Sequence, residues 1–291
     1  MKQILHDFWN FIKAPRDIQY TENDKKYKWK VLLTLFVCEL LFLIVYLPIY
    51  AVVEKFITIE EAFDESFDMF TSFFLFVLLV PFLEELVFRY FLRRRGIMSF
   101  LFSEKTWHKI FPVIFYTSVL TFGFVHITNY ELTNIWILIA APILVFTQII
   151  GGFVMSYLRI KFNFWMGFLY HALWNFVAFF IIDGSYYLLN IGKVEVKNDN
   201  YELVIEPQQF LSLTESIKTE YTAGIDTIYI FKAKFQNTKE ILDIVSPDDK
   251  NYKGSSALIN LDFKSEKGIH KDSLLSILEK EGYIKKQTPT N

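Results

Sequence analysis

The chain has 291 residues, of which 53% are hydrophobic and 19% aromatic, and its mean hydropathy is +0.27, which is high for a soluble domain of this size and points to a partly membrane-embedded protein. A net charge of -2, with basic residues in short clusters beside apolar runs, gives no basis for nucleic-acid binding. The single cysteine, Cys38, excludes an intrachain disulfide and a cysteine-cluster zinc site, and within an apolar run it reads as a small packed side chain.

In chain order, "ILHDFWNFI" (residues 4–12) sets Ile4, Leu5, Phe8, Trp9, Phe11 and Ile12 largely on one side of a helix. Such a helix either lies on the membrane interface or packs against the spans. About thirty mostly polar residues precede the first long apolar run, so that run is expected to remain in the mature protein. Five spans are predicted, near residues 31–53, 69–92, 110–127, 134–157 and 163–182. The first is long enough, at 1.5 Å per residue, to cross a hydrocarbon core of about 30 Å. Basic residues precede span one, follow span two (Arg93, Arg94, Arg95, Lys105, Lys109) and follow span four (Arg159, Lys161). All three clusters then fall on one side, so the expected N-terminus is cytoplasmic and the tail lies opposite; the expected setting is the plasma membrane. A further segment near Tyr186 to Asn190 would carry the tail back across.

The tail alternates apolar and polar residues in "KVEVKNDNYELVIE", "DTIYIFKAKF" and "SALINLDFKS", and "HKDSLLSILEKEGYI" reads as an amphipathic helix ended by Gly282. The expected fold class is therefore an α-helical integral membrane protein of about five spans with a small C-terminal α+β soluble domain. Residues 1–30 form an amphipathic N-terminal segment, 31–190 the embedded domain and 191–291 the soluble domain. No catalytic constellation stands out in the tail, which reads as a stabilising domain or the site of a protein partner.

Ionisable side chains inside spans are costly, which makes each a functional-site hypothesis. "PFLEELVFRYFLRRRG" places Glu84, Glu85 and Arg89 at the end of an apolar run. Glu85 and Arg89 are four apart with the acid first, the favourable order for a helical ion pair, whereas Glu84 is rotated about 100° away and lacks that partner. Span three ends with His126 one turn beyond Phe122, and span five carries His171 and Asn175 four apart. Each polar residue alone has a structural explanation, such as interhelical hydrogen bonding. Counted from the nearest basic residues, Glu84 lies roughly 13 Å deep, His171 roughly 15 Å, Asn175 roughly 21 Å and His126 roughly 25 Å, the last brought closer by a tilt or by a helix starting at Pro112. One carboxylate, two imidazoles and one carboxamide on three helices are the parts of a water-activating hydrolytic site. Glu39, in span one, fits no motif, and a basic partner from another helix is the expectation.

"EELVFR", "FGFVH" and "HALWN" fit Glu-Glu-x-x-x-Arg, Phe-x-x-x-His and His-x-x-x-Asn, in that order and one per span. Over residues 80 to 180 this set resembles the CPBP family of intramembrane proteases, also called the ABI or CAAX-protease-like family. The resemblance implies peptide-bond hydrolysis within the membrane, with Glu84 and His126 activating water and His171 and Asn175 stabilising the oxyanion. Glu85, Arg89 and Phe122 would support them. Family members are often labelled metalloproteases, and a zinc would be held by Glu84, His126 and His171, a legitimate catalytic set. Without a His-Glu-x-x-His pair, and with Asn175 then left as sole oxyanion donor, no cofactor is the favoured reading. The partners implied are membrane lipid and a peptide or protein substrate. The competing readings are a non-catalytic scaffold, sensor or bacteriocin-immunity-type protein of the same fold, and a small transporter.

Overall fold

Each apolar run becomes a helix in the computed structural model, which describes residues 1–22, 24–57, 59, 62, 66–215, 218–224, 226–247, 251–255 and 257–286. Packing divides the chain into two units, Met1–Ala62 with Phe73–Val177 and Phe63–Ser72 with Ala178–Asn291. The first holds the candidate site.

In the first unit, α1 (Lys2–Lys13) packs Ile4, Leu5, Phe8 and Phe11 against a cluster that includes Val31, Leu35, Phe36 and Tyr157. Of the two expectations for this amphipathic stretch, packing against the spans is the one found, with Trp9 left outside. Helix α2 (Lys25–Phe56) begins at Asp24, whose carboxylate accepts the Tyr27 N–H at 3.0 Å and so satisfies one orphan donor of the first turn. Helix α3 (Met69–Arg89) contains a π-helical stretch at Phe73–Leu79 and ends in a turn closed by Leu92 N–H on the Arg89 carbonyl.

Ser103 caps α4 (Glu104–Val125), which starts six residues before the predicted onset, with Pro112 in its interior. The start at Pro112 that would have brought His126 nearer the surface is therefore not adopted. A 3-10 turn follows at His126–Asn129.

Asn134 accepts the N–H groups of Trp136 and Ile137 at the head of α5 (Ile135–Leu144), and α6 (Phe146–Lys161) continues it after a 40° bend. Pro142, which removes one backbone donor in the preceding turn, accounts for the bend. Asn163 caps α7 (Phe164–Leu188), whose segment Val177–Asp183 is again π-helical. Among the described residues four helices are long and apolar enough to cross a membrane, or five if the bent pair is one span, which is the number the hydropathy pattern predicted.

One network gathers the basic segments. Asp17, ahead of the first span, lies 2.8 Å from Arg93 and accepts the Arg94 N–H at 2.8 Å and the Trp107 indole N–H at 3.0 Å. Arg93 also donates to the Ile160 carbonyl at 2.7 Å and to Gln19 at 2.9 Å. The ends of spans two and four thus meet the N-terminal segment at one end of the bundle, as the charge pattern requires.

The second unit carries a five-stranded antiparallel sheet built from β1 (Val194–Lys197), β2 (Glu202–Gln208), β3 (Lys218–Ala223), β4 (Thr227–Asn237) and β6 (Leu258–His270), in the order β1-β2-β6-β4-β3. Helices α8 (Thr238–Val245) and α9 (Lys271–Lys280) place Ile241, Val245, Leu274 and Leu278 against Leu203, Phe231, Leu261 and Phe263. Two short strands, β5 (Tyr252–Gly254) and β7 (Ile284–Lys286), pair separately. The opposite face of the sheet is polar and includes the Lys232–Glu220 and Lys234–Glu215 pairs. The segment after β2 grips helix ends belonging to this unit: Leu211 N–H donates to the Phe67 carbonyl at 3.1 Å, Gln209 donates to the Phe179 carbonyl at 2.7 Å, and the Phe210 ring stacks on Phe180.

Asp68 caps α3 through Phe70 N–H, Thr71 N–H and the Thr71 hydroxyl at 2.6 Å, and these bonds hold its carboxyl below the usual carboxylate range, the Thr71 hydroxyl contributing most. The cap is complete above the ordinary carboxylate pKa and is lost as pH falls through the depressed folded value.

Candidate functional site

The centre is assembled by α3, α4 and α7. Glu84 and Glu85 are successive residues of α3 and therefore face different directions. Glu85 and Arg89, one turn apart, form an ion pair at 3.0 Å with both side chains fully buried. Two glycines allow this close approach: a Cβ at Gly167 would lie 3.2 Å from Glu85 Oε2, and one at Gly152 3.3 Å from the Phe122 ring and 3.5 Å from Arg89. The guanidinium of Arg89 sits 3.6 Å from the centroid of the Phe122 ring, a cation–π contact that offsets part of its burial. Arg159 of α6 donates to the Arg89 and Tyr90 carbonyls and so satisfies the C-terminus of α3.

Glu84 faces the two imidazoles. Its Oε2 is 3.3 Å from His171 Nε2, and its Oε1 is 3.9 Å from His126 Nε2. Its side chain retains 23% exposure and that of His126 17%, while His171 has 4% and Glu85 none, so water reaches the Glu84 side of the cluster and not the Glu85 side. Phe122 packs edge-on against both rings.

The outer nitrogens of the two rings are committed. His126 Nδ1 lies 2.7 Å from the Phe122 carbonyl, and since a carbonyl only accepts, that nitrogen carries the proton. His171 Nδ1 lies 3.1 Å from Glu85 Oε1, the oxygen that also takes Arg89, so it donates as well. A neutral ring then turns its unprotonated Nε2 toward Glu84. Three acceptors converge, and they hold this geometry only when at least one proton is shared among them or a donor molecule enters.

Asn175 stands one turn beyond His171 on α7, and its Nδ2 donates to the Phe76 carbonyl at 2.8 Å, within the π-helical stretch of α3. One amide N–H is thereby fixed. The structure thus groups Glu84, Glu85, Arg89, Phe122, His126 and His171 in direct contact and sets Asn175 on the same helix as His171. Gly152, Gly167 and Arg159 were missed from sequence. Glycines in "IIGGF" and "WMGF" offered only the general signal of close helix packing.

Glu84, His126 and His171, the residues named as zinc ligands, stand together in this centre, with Glu84 3.3 Å from His171 Nε2 and 3.9 Å from His126 Nε2. Glu39 of α2 is buried and is paired with the Tyr170 hydroxyl, the residue before His171. The basic partner expected for it is replaced by a neutral one, a correction that the burial of Tyr170 between α2 and α7 explains.

Fold and centre together define a class, an α-helical integral membrane protein with a water-accessible carboxylate flanked by two imidazoles. Residues 66–177 match the family described as Type II CAAX prenyl endopeptidase Rce1-like, which is the CAAX-protease family that the three motifs resemble. The matched stretch contains Glu84, His126, His171 and Asn175 and leaves α1, α2 and the sheet outside. Comparison with curated proteins and with solved structures gave no match.

Proposed function

We propose that this chain is an intramembrane endopeptidase that hydrolyses a peptide bond of a membrane-associated protein or peptide, with Glu84 as general base. The observation that supports it most is the placement of the Glu84 carboxylate between two imidazole nitrogens whose other ring positions are already bonded. A water held by Glu84 and His126 Nε2 gives its proton to Glu84 as its oxygen attacks the scissile carbonyl. The oxyanion then accepts from an Asn175 N–H and from His171, which donates through Nε2 when the shared proton resides there. Loss of one such donor costs about a hundredfold or more in rate. Collapse breaks the C–N bond, and the proton on Glu84 passes to the leaving amine. Glu85 and Arg89 hold His171 in orientation and do not touch the substrate.

No metal is assigned to the centre: the sequence has no His-Glu-x-x-His pair to preset a zinc site, and a metal-free centre leaves His171 and Asn175 to serve together as oxyanion donors. The basic end of the bundle is assigned to the cytoplasm on the charge asymmetry, and the chain is assigned to the plasma membrane. The sheet domain is assigned to the opposite side, as a surface for a protein partner.

The test compares membrane peptide profiles of cells carrying the native chain, Glu84→Ala or His171→Ala at equal abundance. Peptides present only with the native chain are expected; identical profiles would leave a scaffold or sensor as the better reading. In the purified chain, cleavage is expected to survive chelator, and loss reversed by added zinc would overturn the metal-free assignment.

A further inference from the structure

The link between α3 and α4 holds a short helix, Ile97–Leu101, that the proposed chemistry does not use. Gly96 enters it with φ +53°, a conformation that lets the chain turn sharply after Arg95. Met98 and the following Phe102 pack on the Leu92–Trp107–Phe111 cluster, which fixes the orientation of the helix. Its other face presents Ile97, Phe100 and Leu101, at i, i+3 and i+4, with 62%, 88% and 55% exposure. The base is rigid: Asp17 binds Arg93, the Arg94 N–H and the Trp107 indole, and Arg94 Nε donates to the Phe102 carbonyl.

Three large apolar side chains on one face of a five-residue helix, at the level where two spans end, form a patch that a water-facing loop would not keep. The charges around it are one-sided. Residues 93–109 contain Arg93, Arg94, Arg95, Lys105 and Lys109 against the single acid Glu104, which lies 3.8 Å from His108. Arg93 is spent on Asp17, and Arg95 donates to Gln19 from an exposed position. Lys105 and Lys109 are exposed and form no ion pair among the described residues.

We propose that this link is an interfacial wedge for an anionic lipid leaflet, in which Ile97, Phe100 and Leu101 enter the acyl boundary while Lys105, Lys109 and Arg95 meet lipid phosphates. An apolar face rimmed by unpaired lysines matches that interface in both polarity and charge. The wedge is fixed to the end of α3, the helix that bears Glu84, so lipid composition acts on the end of that helix.

The test uses the full chain in nanodiscs, in a Cys38→Ala background, with an environment-sensitive fluorophore on Phe100→Cys and, as a water-exposed control, on Lys267→Cys. Quenching at position 100 by lipid nitroxides near the glycerol level, with shielding from aqueous iodide, is expected. Equal iodide quenching at both positions would overturn the wedge. Enrichment of spin-labelled phosphatidylglycerol over phosphatidylcholine around the native chain should fall severalfold in Lys105→Gln/Lys109→Gln and be insensitive to added inorganic phosphate. Equal enrichment in native and variant chains, or competition by phosphate, would overturn the assignment to anionic lipid.

Discussion

Glu85 and Arg89 carry opposite charges with both side chains fully buried, and among the described residues Glu85 Oε2 and Arg89 Nε and Nη2 have no hydrogen-bond partner. The desolvation of both ions is offset by the pair itself, by His171 Nδ1 and by the Phe122 ring. Arg89→Leu leaves an unpaired buried carboxylate and is expected to destabilise by about 3–5 kcal/mol, whereas Glu85→Leu/Arg89→Leu should cost less than Arg89→Leu alone. Unfolding of the purified variants in mixed micelles measures both, and additive losses would contradict a coupled pair. Ion-pair spacing and depth made these residues and Glu84 legible in sequence, because a charge inside an apolar run stands out whatever it touches. The partner of Glu39 was not legible, since a tyrosine in "FLYHALWN" differs little in pattern from the aromatic residues around it.

At the scale of elements, two of the three helices that assemble the site share a device. Both α3 and α7 contain a π-helical stretch, and each such stretch offers a carbonyl to a side-chain amide: Phe76 to Asn175, Phe179 to Gln209. A π-helical turn shifts the backbone register and frees such acceptors. Gln209→Leu removes one of these bonds, worth on the order of 1 kcal/mol, and should raise amide exchange about fivefold in residues 177–183. Unchanged exchange there would show that the bond does not hold the stretch. Hydrophobic periodicity gave no sign of either π-helical stretch, because a single altered turn in a uniformly apolar run leaves the pattern intact and depends on partners far away in sequence.

At the scale of the molecule, span number and the basic end of the bundle followed directly from hydropathy and charge, since a hydrocarbon slab imposes length and the loops carry the charge. In the sheet domain the alternating strands β1, β2, β4 and β6 were legible. Strand β3 was not, because all six of its residues are exposed and its sequence does not alternate; β5 and β7 are only three residues long. Helix α8 had its signal in the Asn237 cap and the spacing of Ile241, Leu242 and Val245, masked by the strand residues that run directly into it. The composition change lies near residue 190, yet the packing boundary falls at Val177, because the segment after β2 grips the end of α7.

The account rests on Glu84 standing between two imidazoles, and nitrogen-15 spectra of the five histidines in the full chain test this without any substrate. His126 and His171 should each show a protonated Nδ1, and Glu84→Gln should shift the Nε2 resonances of both while leaving His6, His108 and His270 unmoved. Spectra of His126 and His171 indifferent to Glu84→Gln would contradict it.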